Sequence, residues 1–432
     1  MSYLLGICTT CCLILCITAF GQVEYQISGY IVDSETGEPV SYASIGVPEQ
    51  QRGISSNING FFNLLLPENN PEHYLRISSI GYQQLTLQLS EINWGQEQTI
   101  KLVPETRMLE EIVILGKSRS VEETVKSTSK KRKVFLRSKP YLMHGFYREL
   151  LKVDGKTEGF TEGQGILYVN GYDRRYQNTS RHLTYDLMQW KHLRRSDYPV
   201  ASYLEVAALL KAKDYYLHHG PLNRSNLDKF TFEVTDSTTY QDRLVLVVGF
   251  SPKQEYRGEI PYQGKMFIKE DDQALLRLEI ASIGPEPFLQ ASPSEGQIAA
   301  NFEISFVLFD EQYYLGKTSY QRHFEQAGQK FDWQMELLGA SFANQNAMFL
   351  DYSQRAVLYS EMLNPMINYD PDFWDDFELI PKDELDQLNL DQDIRSQFKA
   401  HHNQRLKPLP EGIESYEQMS NDRDALDLIM QR

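Results

Sequence analysis

Residues 25–117 read YQISGYIVDSETGEPVSYASIGVPEQQRGISSNINGFFNLLLPENNPEHYLRISSIGYQQLTLQLSEINWGQEQTIKLVPETRMLEEIVILGK. Ile27, Gly29 and Ile31 alternate with polar neighbours until Ser34-Glu35-Thr36-Gly37 interrupts the run, and Pro39-Val40 opens the next. A period of two broken by Gly, Asn and Pro predicts strands joined by tight turns, because successive strand side chains point to opposite faces. Further runs at Ser41 to Val47, Gly60 to Leu66, Tyr74 to Gly81, Leu85 to Leu89, Thr99 to Val103 and Leu109 to Leu115 make about seven short strands, the pattern of a small β-sandwich. Asn59-Gly60 is placed as a hairpin turn, since glycine accepts positive φ, and Gly81 before Tyr82 as a bend at a strand end.

The ordered motifs Gly29-Tyr30-Ile31-Val32-Asp33, Gly37-Glu38-Pro39-Val40 with Ala43-Ser44-Ile45, Asn59-Gly60-Phe61-Phe62-Asn63-Leu64 and Ile80-Gly81-Tyr82 resemble those of the carboxypeptidase-like regulatory domain. That family is a transthyretin-like sandwich, widespread in cell-envelope proteins of Bacteroidota-type bacteria and found ahead of many TonB-dependent outer-membrane receptors. The resemblance implies an accessory module with no peptidase activity of its own. Asn57 stands where the family usually has Asp.

Upstream, residues 2–21 carry no charge and are apolar from Leu4 to Ala19. The run is shorter than the roughly 20 apolar residues a helical span needs, and it ends in Ala19-Phe20-Gly21, so a secretory signal peptide cut before Gln22 is expected. An uncleaved anchor and a lipoprotein cysteine at Cys16 are the competing readings. Cys8, Cys11, Cys12 and Cys16 all lie in this segment. The remaining chain therefore has neither disulfides nor a thiolate nucleophile. The net charge of −16 falls on the part expected to be exported and argues against a nucleic-acid partner, which needs a basic surface.

Downstream the charge reverses. Residues 117–139 hold nine Lys or Arg against two Glu, with a narrow apolar stripe at Val121, Val125, Phe135 and Leu136. A helical linker with a solvated basic face is expected, with contact to anionic lipid as the functional alternative. From Tyr141 short β runs resume at Gly145 to Glu149, Gly165 to Val169, Lys229 to Val234, Leu244 to Phe250, Gly264 to Lys269, Leu275 to Ile280, Phe302 to Phe309, Tyr313 to Tyr320 and Phe331 to Leu338, with one helix at Ser202 to Tyr215. Short polar turns between them predict an antiparallel meander, curved around an apolar cavity or a helix so that one face is buried. Beyond Asn346, Asp370 to Arg395 carries ten acidic residues, and prolines break any long helix. Without the EF-hand spacing, a solvated acidic face is expected there.

Gly145 to Glu149, Gly220-Pro221, Tyr262 to Ile268 and Phe373-Trp374 resemble the marks of an uncharacterised family of secreted Bacteroidota proteins in which the regulatory domain comes first. That resemblance implies architecture alone. The strand at Tyr262 to Ile268 with Ala274-Leu275-Leu276 is also similar to strands of lipoprotein-carrier half-barrels.

The fold expected is mainly β: an N-terminal seven-stranded sandwich plus a larger curved antiparallel β domain with a few helices. Its segments are a signal peptide (1–21), the sandwich (22–116), the basic linker (117–140), the second β domain (141–345) and an acidic, aromatic C-terminal region (346–432).

Reactive constellations are scarce. None of the nine histidines opens an HExxH or HxxE zinc pair, and no G-x-S-x-G elbow occurs. His218-His219 and His401-His402 are adjacent pairs whose members face apart on a strand, and Gly163-x-Gly165 lacks the third glycine of a phosphate loop. Glu149, Glu158 and Glu162 are close enough in sequence to form a carboxylate pair, although Arg148-Glu149 as a buried ion pair is the favoured reading. No catalytic, cofactor or metal residue is nominated. A non-catalytic envelope binding or scaffold protein is expected, periplasmic or outer-membrane-associated, with a protein, lipid or glycan ligand. The alternative is an envelope hydrolase built on the three glutamates. A deep apolar cavity without convergent titratable groups marks the first, and two carboxylates within hydrogen-bond reach mark the second.

Overall fold

Alternating burial along the first strand shows how the chain starts. In β1 (Tyr25–Asp33) Ile27, Gly29, Ile31 and Asp33 are turned inward and their neighbours are half-exposed. The computed structural model describes residues 25–50, 52–57, 59–105, 120–172, 187–195, 206–282, 299–309 and 312–343. Six more strands complete the sandwich: β2 (Ser44–Val47), β3 (Arg52–Ser55), β4 (Phe61–Leu66), β5 (Tyr74–Ser78), β6 (Leu85–Gln88) and β7 (Gln98–Leu102). They form two sheets, ordered β4-β1-β7 and β3-β2-β5-β6. Ile27, Ile31, Ile45, Leu64, Leu66 and Ile77 lie in the shared core.

Among the described residues the sandwich has seven strands, as many as the sequence reading counted, but the membership differs. Arg52-Gly53-Ile54-Ser55 pairs with β2 although it has a single large apolar residue, because the neighbouring strand supplies the pairing. Leu109 to Leu115, counted as a strand above, lies outside the described residues.

The motif residues meet one another. The Asp33 carboxylate accepts hydrogen bonds from the amides of Glu35 (2.7 Å) and Thr36 (2.9 Å) and from the Tyr82 hydroxyl (3.0 Å). Those amides, Thr36 first, hold its pKa below the ordinary aspartate value. Asn57 Oδ1 accepts from the amides of Asn59 and Phe61, both at 2.9 Å, and so ties the turn into β4. Gly60 takes φ +77°, and a Cβ there would stand 2.5 Å from the Ile31 carbonyl oxygen, so no other residue fits.

Beyond the sandwich, α1 (Val121–Phe135) begins with a capping box. The Glu123 amide donates to Ser120 Oγ at 3.2 Å, and Glu123 Oε2 accepts from the Ser120 amide at 3.1 Å. Its inner face is small and hydroxylated, with Thr124, Val125, Thr128 and Ser129 buried, which explains the thin apolar stripe in the sequence. Ser129 Oγ donates to the Leu222 carbonyl at 2.7 Å, and the Arg132 guanidinium donates to the Leu217 carbonyl. Lys126, Lys130 and Lys133 face outward.

The remaining strands are β8 (Tyr141–Val153), β9 (Lys156–Val169), β10 (Leu187–Arg195), β11 (Phe230–Tyr240), β12 (Arg243–Pro252), β13 (Tyr262–Lys269), β14 (Leu275–Ser282), β15 (Ala299–Phe309), β16 (Gln312–Gln326) and β17 (Gln329–Ala343), with α2 (Val206–His219) before β11. They form one ten-stranded antiparallel sheet ordered β10-β9-β8-β17-β16-β15-β14-β13-β12-β11, which does not close. β10 was not anticipated. The helix runs four residues further than the periodicity suggested, to His219.

This sheet is two-sided. On one face Tyr147, Leu278, Ile280, Phe302, Ile304, Met335 and Leu337 are buried in a core that also takes Leu209, Tyr216 and Leu217 of α2 and Val125 of α1. Tyr216 packs on the rings of Tyr262 and Phe302, with centroids 5.1 and 5.3 Å away. The two helices fill this face, so of the two ways expected to bury it, an apolar cavity or a helix, the chain uses the helix. Burial at this density is the main stabilising contribution.

The sandwich lies on the other face. Leu338 of β17 and Phe146 of β8, direct cross-strand partners, join the core of the sandwich, and β3 packs on β17. Further along, the Gly81 amide donates to the Thr239 carbonyl at 2.8 Å, and Thr239 Oγ1 donates to Glu105 Oε2 at 2.8 Å. Gly81 has φ +88°, so the bend foreseen in the sequence brings that loop onto β11.

Candidate functional site: a polar trough beside the sandwich

Strand pairing carries one row of side chains across the sheet. Cross-strand partners link Glu233 to Gly249, Gly249 to Lys265, Lys265 to Glu279, Glu279 to Glu303, Glu303 to Ser319, Ser319 to Glu336 and Glu336 to Arg148. A second row, two residues along each strand, runs Gln263, Ala281, Asn301, Gln321, Gln334. Because strand side chains alternate, both rows stand on the face that α1 and α2 leave uncovered. They form the floor of a cavity of about 740 Å³, which Tyr42 of the sandwich also lines.

The wall at the sandwich is built from a turn. Tyr42 takes φ +62°, unusual for an aromatic residue. Ser56 holds the turn there, accepting from the Ala43 amide at 2.8 Å and donating to the Val40 carbonyl at 2.9 Å. The Tyr42 ring covers the ammonium of Lys317, which is fully buried and 3.1 Å from Glu303 Oε1. Arg277 Nε lies 3.6 Å from the same carboxylate oxygen, and Arg277 Nη1 lies 3.5 Å from Glu279 Oε1. Arg148 Nη2 meets Glu336 Oε1 at 2.8 Å.

Electrostatics follow from this packing. Burial lowers the Lys317 pKa to about 8, with Glu303 opposing the shift and Arg277 adding to it. Burial alone would raise the Glu303 carboxyl, but Lys317 and Arg277 outweigh it and hold the group below the usual glutamate value. Burial, then the charges of Glu336 and Glu303, push the Tyr42 hydroxyl well above its ordinary value. Charges on this floor are thus set against opposite charges. Among the described residues, no three His, Cys, Asp or Glu side chains are grouped so as to hold a metal ion.

The carboxylates singled out in the sequence do not converge. Arg148 and Glu149 are consecutive on β8 and point to opposite faces, so the ion pair expected between them does not form, and Arg148 pairs with Glu336. Glu149 is buried on the helix-covered face, where it accepts from the Tyr147 hydroxyl at 2.9 Å and the Trp333 indole N–H at 2.6 Å. Glu162 is the cross-strand partner of Arg148 and stands on the trough face, while Glu158 is exposed beside the β8–β9 turn. Gly163 and Gly165 lie within β9, and His218 and His219 end α2, so neither pair occupies a strand or loop of the kind considered above. His401 and His402 lie outside the described residues.

Sequence reasoning passed over Arg277, Glu279, Asn301, Glu303, Lys317, Gln321, Gln334 and Glu336. The available signal was period-two polarity recurring in consecutive strands: Arg277-x-Glu279, Asn301-x-Glu303, Lys317-x-Ser319-x-Gln321 and Gln334-x-Glu336.

Comparison with known proteins divides the chain in the same place. The CarboxypepD_reg-like domain family matches residues 27–114, which covers the sandwich and leaves the ten-stranded sheet outside. No curated protein matches the chain. Among solved structures, similarity is found to a DUF1329 family protein from Desulfovibrio piger (9% identity, 53% of this chain and 95% of that one, TM-score 0.25). A putative outer membrane lipoprotein-sorting protein domain from Vibrio parahaemolyticus gives 10% identity, the same coverages of 53% and 95%, and a TM-score of 0.25. A LolA superfamily protein from Nitrosomonas europaea gives 6%, 52%, 92% and 0.23. Superpositions at this level establish neither a common fold nor a common function.

Proposed function

We propose that this chain is a non-catalytic binding protein of the cell envelope, exported by its N-terminal segment, with the trough as its ligand site and the sandwich as the wall that completes it. The observation that carries the reading is the sidedness of the ten-stranded sheet. One face is sealed by α1 and α2, whereas the other keeps a cavity of about 740 Å³ floored by hydrogen-bonding side chains. The match of residues 27–114 to an accessory domain family supports a binding role for the sandwich. The three glutamates on which the hydrolytic alternative rested are dispersed over two faces and a turn, so that alternative keeps no nominated pair.

Ala281 sits in the trough floor between Gln263 and Asn301, where a bulky side chain fills the cavity without touching the helix-covered core. Immobilised wild-type chain and Ala281→Trp are exposed to the same envelope extract. Material held by the wild type and lost by the variant supports the reading. Equal retention by both proteins contradicts it.

A further inference from the structure

We propose that the trough's ligand is an uncharged, polyhydroxylated chain, that is, an oligosaccharide, held by the amide row of Asn301, Gln321 and Gln334. This rests on the reading of the trough as the ligand site and adds the chemical class.

Two observations converge. First, the floor offers hydrogen bonds more than net charge, since Arg148 faces Glu336, Lys317 faces Glu303 and Arg277 lies between Glu303 and Glu279. A strongly charged ligand would have to break these pairs, at the cost of leaving buried charges uncompensated. Second, Asn301, Gln321 and Gln334 are consecutive cross-strand partners. Each carboxamide both donates and accepts, and a sugar hydroxyl also does both, so a row spaced by the strand separation of about 4.8 Å matches a chain of hydroxyl-bearing rings.

The other envelope ligands fit less well. Apolar side chains such as Phe232 and Met335 also line the trough, but an acyl chain would desolvate the Asn301, Gln321 and Gln334 carboxamides without offering them a hydrogen bond. An extended peptide adds to a free sheet edge, whereas the trough is floored by strands whose backbones are already paired on both sides from β8 to β12.

The test is calorimetric titration of the mature chain with neutral hexasaccharides of α-glucan, β-glucan, β-mannan and chitin type, alongside palmitate and a decalysine peptide. At least one hexasaccharide is expected to bind. Gln321→Leu and Gln334→Leu, each at a half-buried floor position, should each weaken that binding about tenfold. Thermal melts of both variants confirm that the fold is retained. If hexasaccharides fail while Ala281→Trp still abolishes retention of envelope material, the trough binds another class and the carbohydrate proposal is overturned alone. If that variant also has no effect, the ligand-site reading falls with it. Binding unaffected by Gln334→Leu likewise overturns the proposal.

Discussion

The ring of Tyr42, from the N-terminal sandwich, covers the ammonium of Lys317, from β16 of the large sheet, and the lysine is fully shielded from solvent. This contact joins the two β layers through a buried charge rather than through apolar side chains alone. It follows that the joint is sensitive to the protonation of Lys317.

Lys317 releases its proton at about pH 8 in the folded chain, below the ordinary lysine value of 10.5. Between those values the unfolded chain holds more protons than the folded one, so stability rises with pH across that window. Below it, the cost of burying the ammonium stands in full. Lys317→Met removes the titration, and the wild type should therefore gain thermal stability relative to the variant as pH goes from about 7.5 to about 9.5. Melting curves of both proteins across that range check this, and a constant difference contradicts it.

Leu338 and Phe146 belong to the large sheet by hydrogen bonding and to the sandwich by packing. Leu338→Ala should destabilise the chain by about 2–5 kcal/mol, the usual cost of such a cavity. Leu338→Asp places a charge in the seam and should separate the sandwich from the sheet. Scanning calorimetry is expected to show two resolved unfolding transitions for Leu338→Asp. A single transition there would show that the seam does not couple the layers.

A double-mutant cycle settles the partner of Arg148. Arg148→Met alone leaves Glu336 buried with its charge uncompensated, at a cost of roughly 3–5 kcal/mol, and adding Glu336→Met should recover much of that loss. Coupling between Arg148 and Glu149, which stand on opposite faces, should stay below about 0.5 kcal/mol. Strong coupling in the second pair and none in the first would reverse the assignment. Denaturant titration of the single and double variants supplies the numbers.

Much of the fold was legible because period-two burial is written locally. β1, β4 and the meander from β11 to β17 fall where alternation placed them, and the bend at Gly81 appears as expected; a turn also forms at Gly60, but it joins β3 to β4 in different sheets and is not the hairpin expected. β3 escaped because Arg52 to Ser55 has little apolar character of its own and becomes a strand through its pairing with β2. The site was harder to read for a related reason. Glu149 attracts notice beside Arg148, yet adjacent strand residues face apart, and the carboxylate that Arg148 meets is Glu336, brought alongside by the pairing of β8 with β17. Sequence distance conceals that register. The amide row is likewise assembled from separate strands, each contributing one unremarkable polar residue.

The most direct test of the trough as a binding surface is carbodiimide footprinting of carboxylates in the presence and absence of envelope extract. Glu233 is exposed and Glu279 half-exposed on the trough floor, while Glu122 and Glu123 are exposed on α1, away from it. The account predicts that extract protects Glu233 and Glu279 from labelling and leaves Glu122 and Glu123 unchanged. Protection confined to the α1 glutamates, or labelling of all four unaffected by extract, would contradict it.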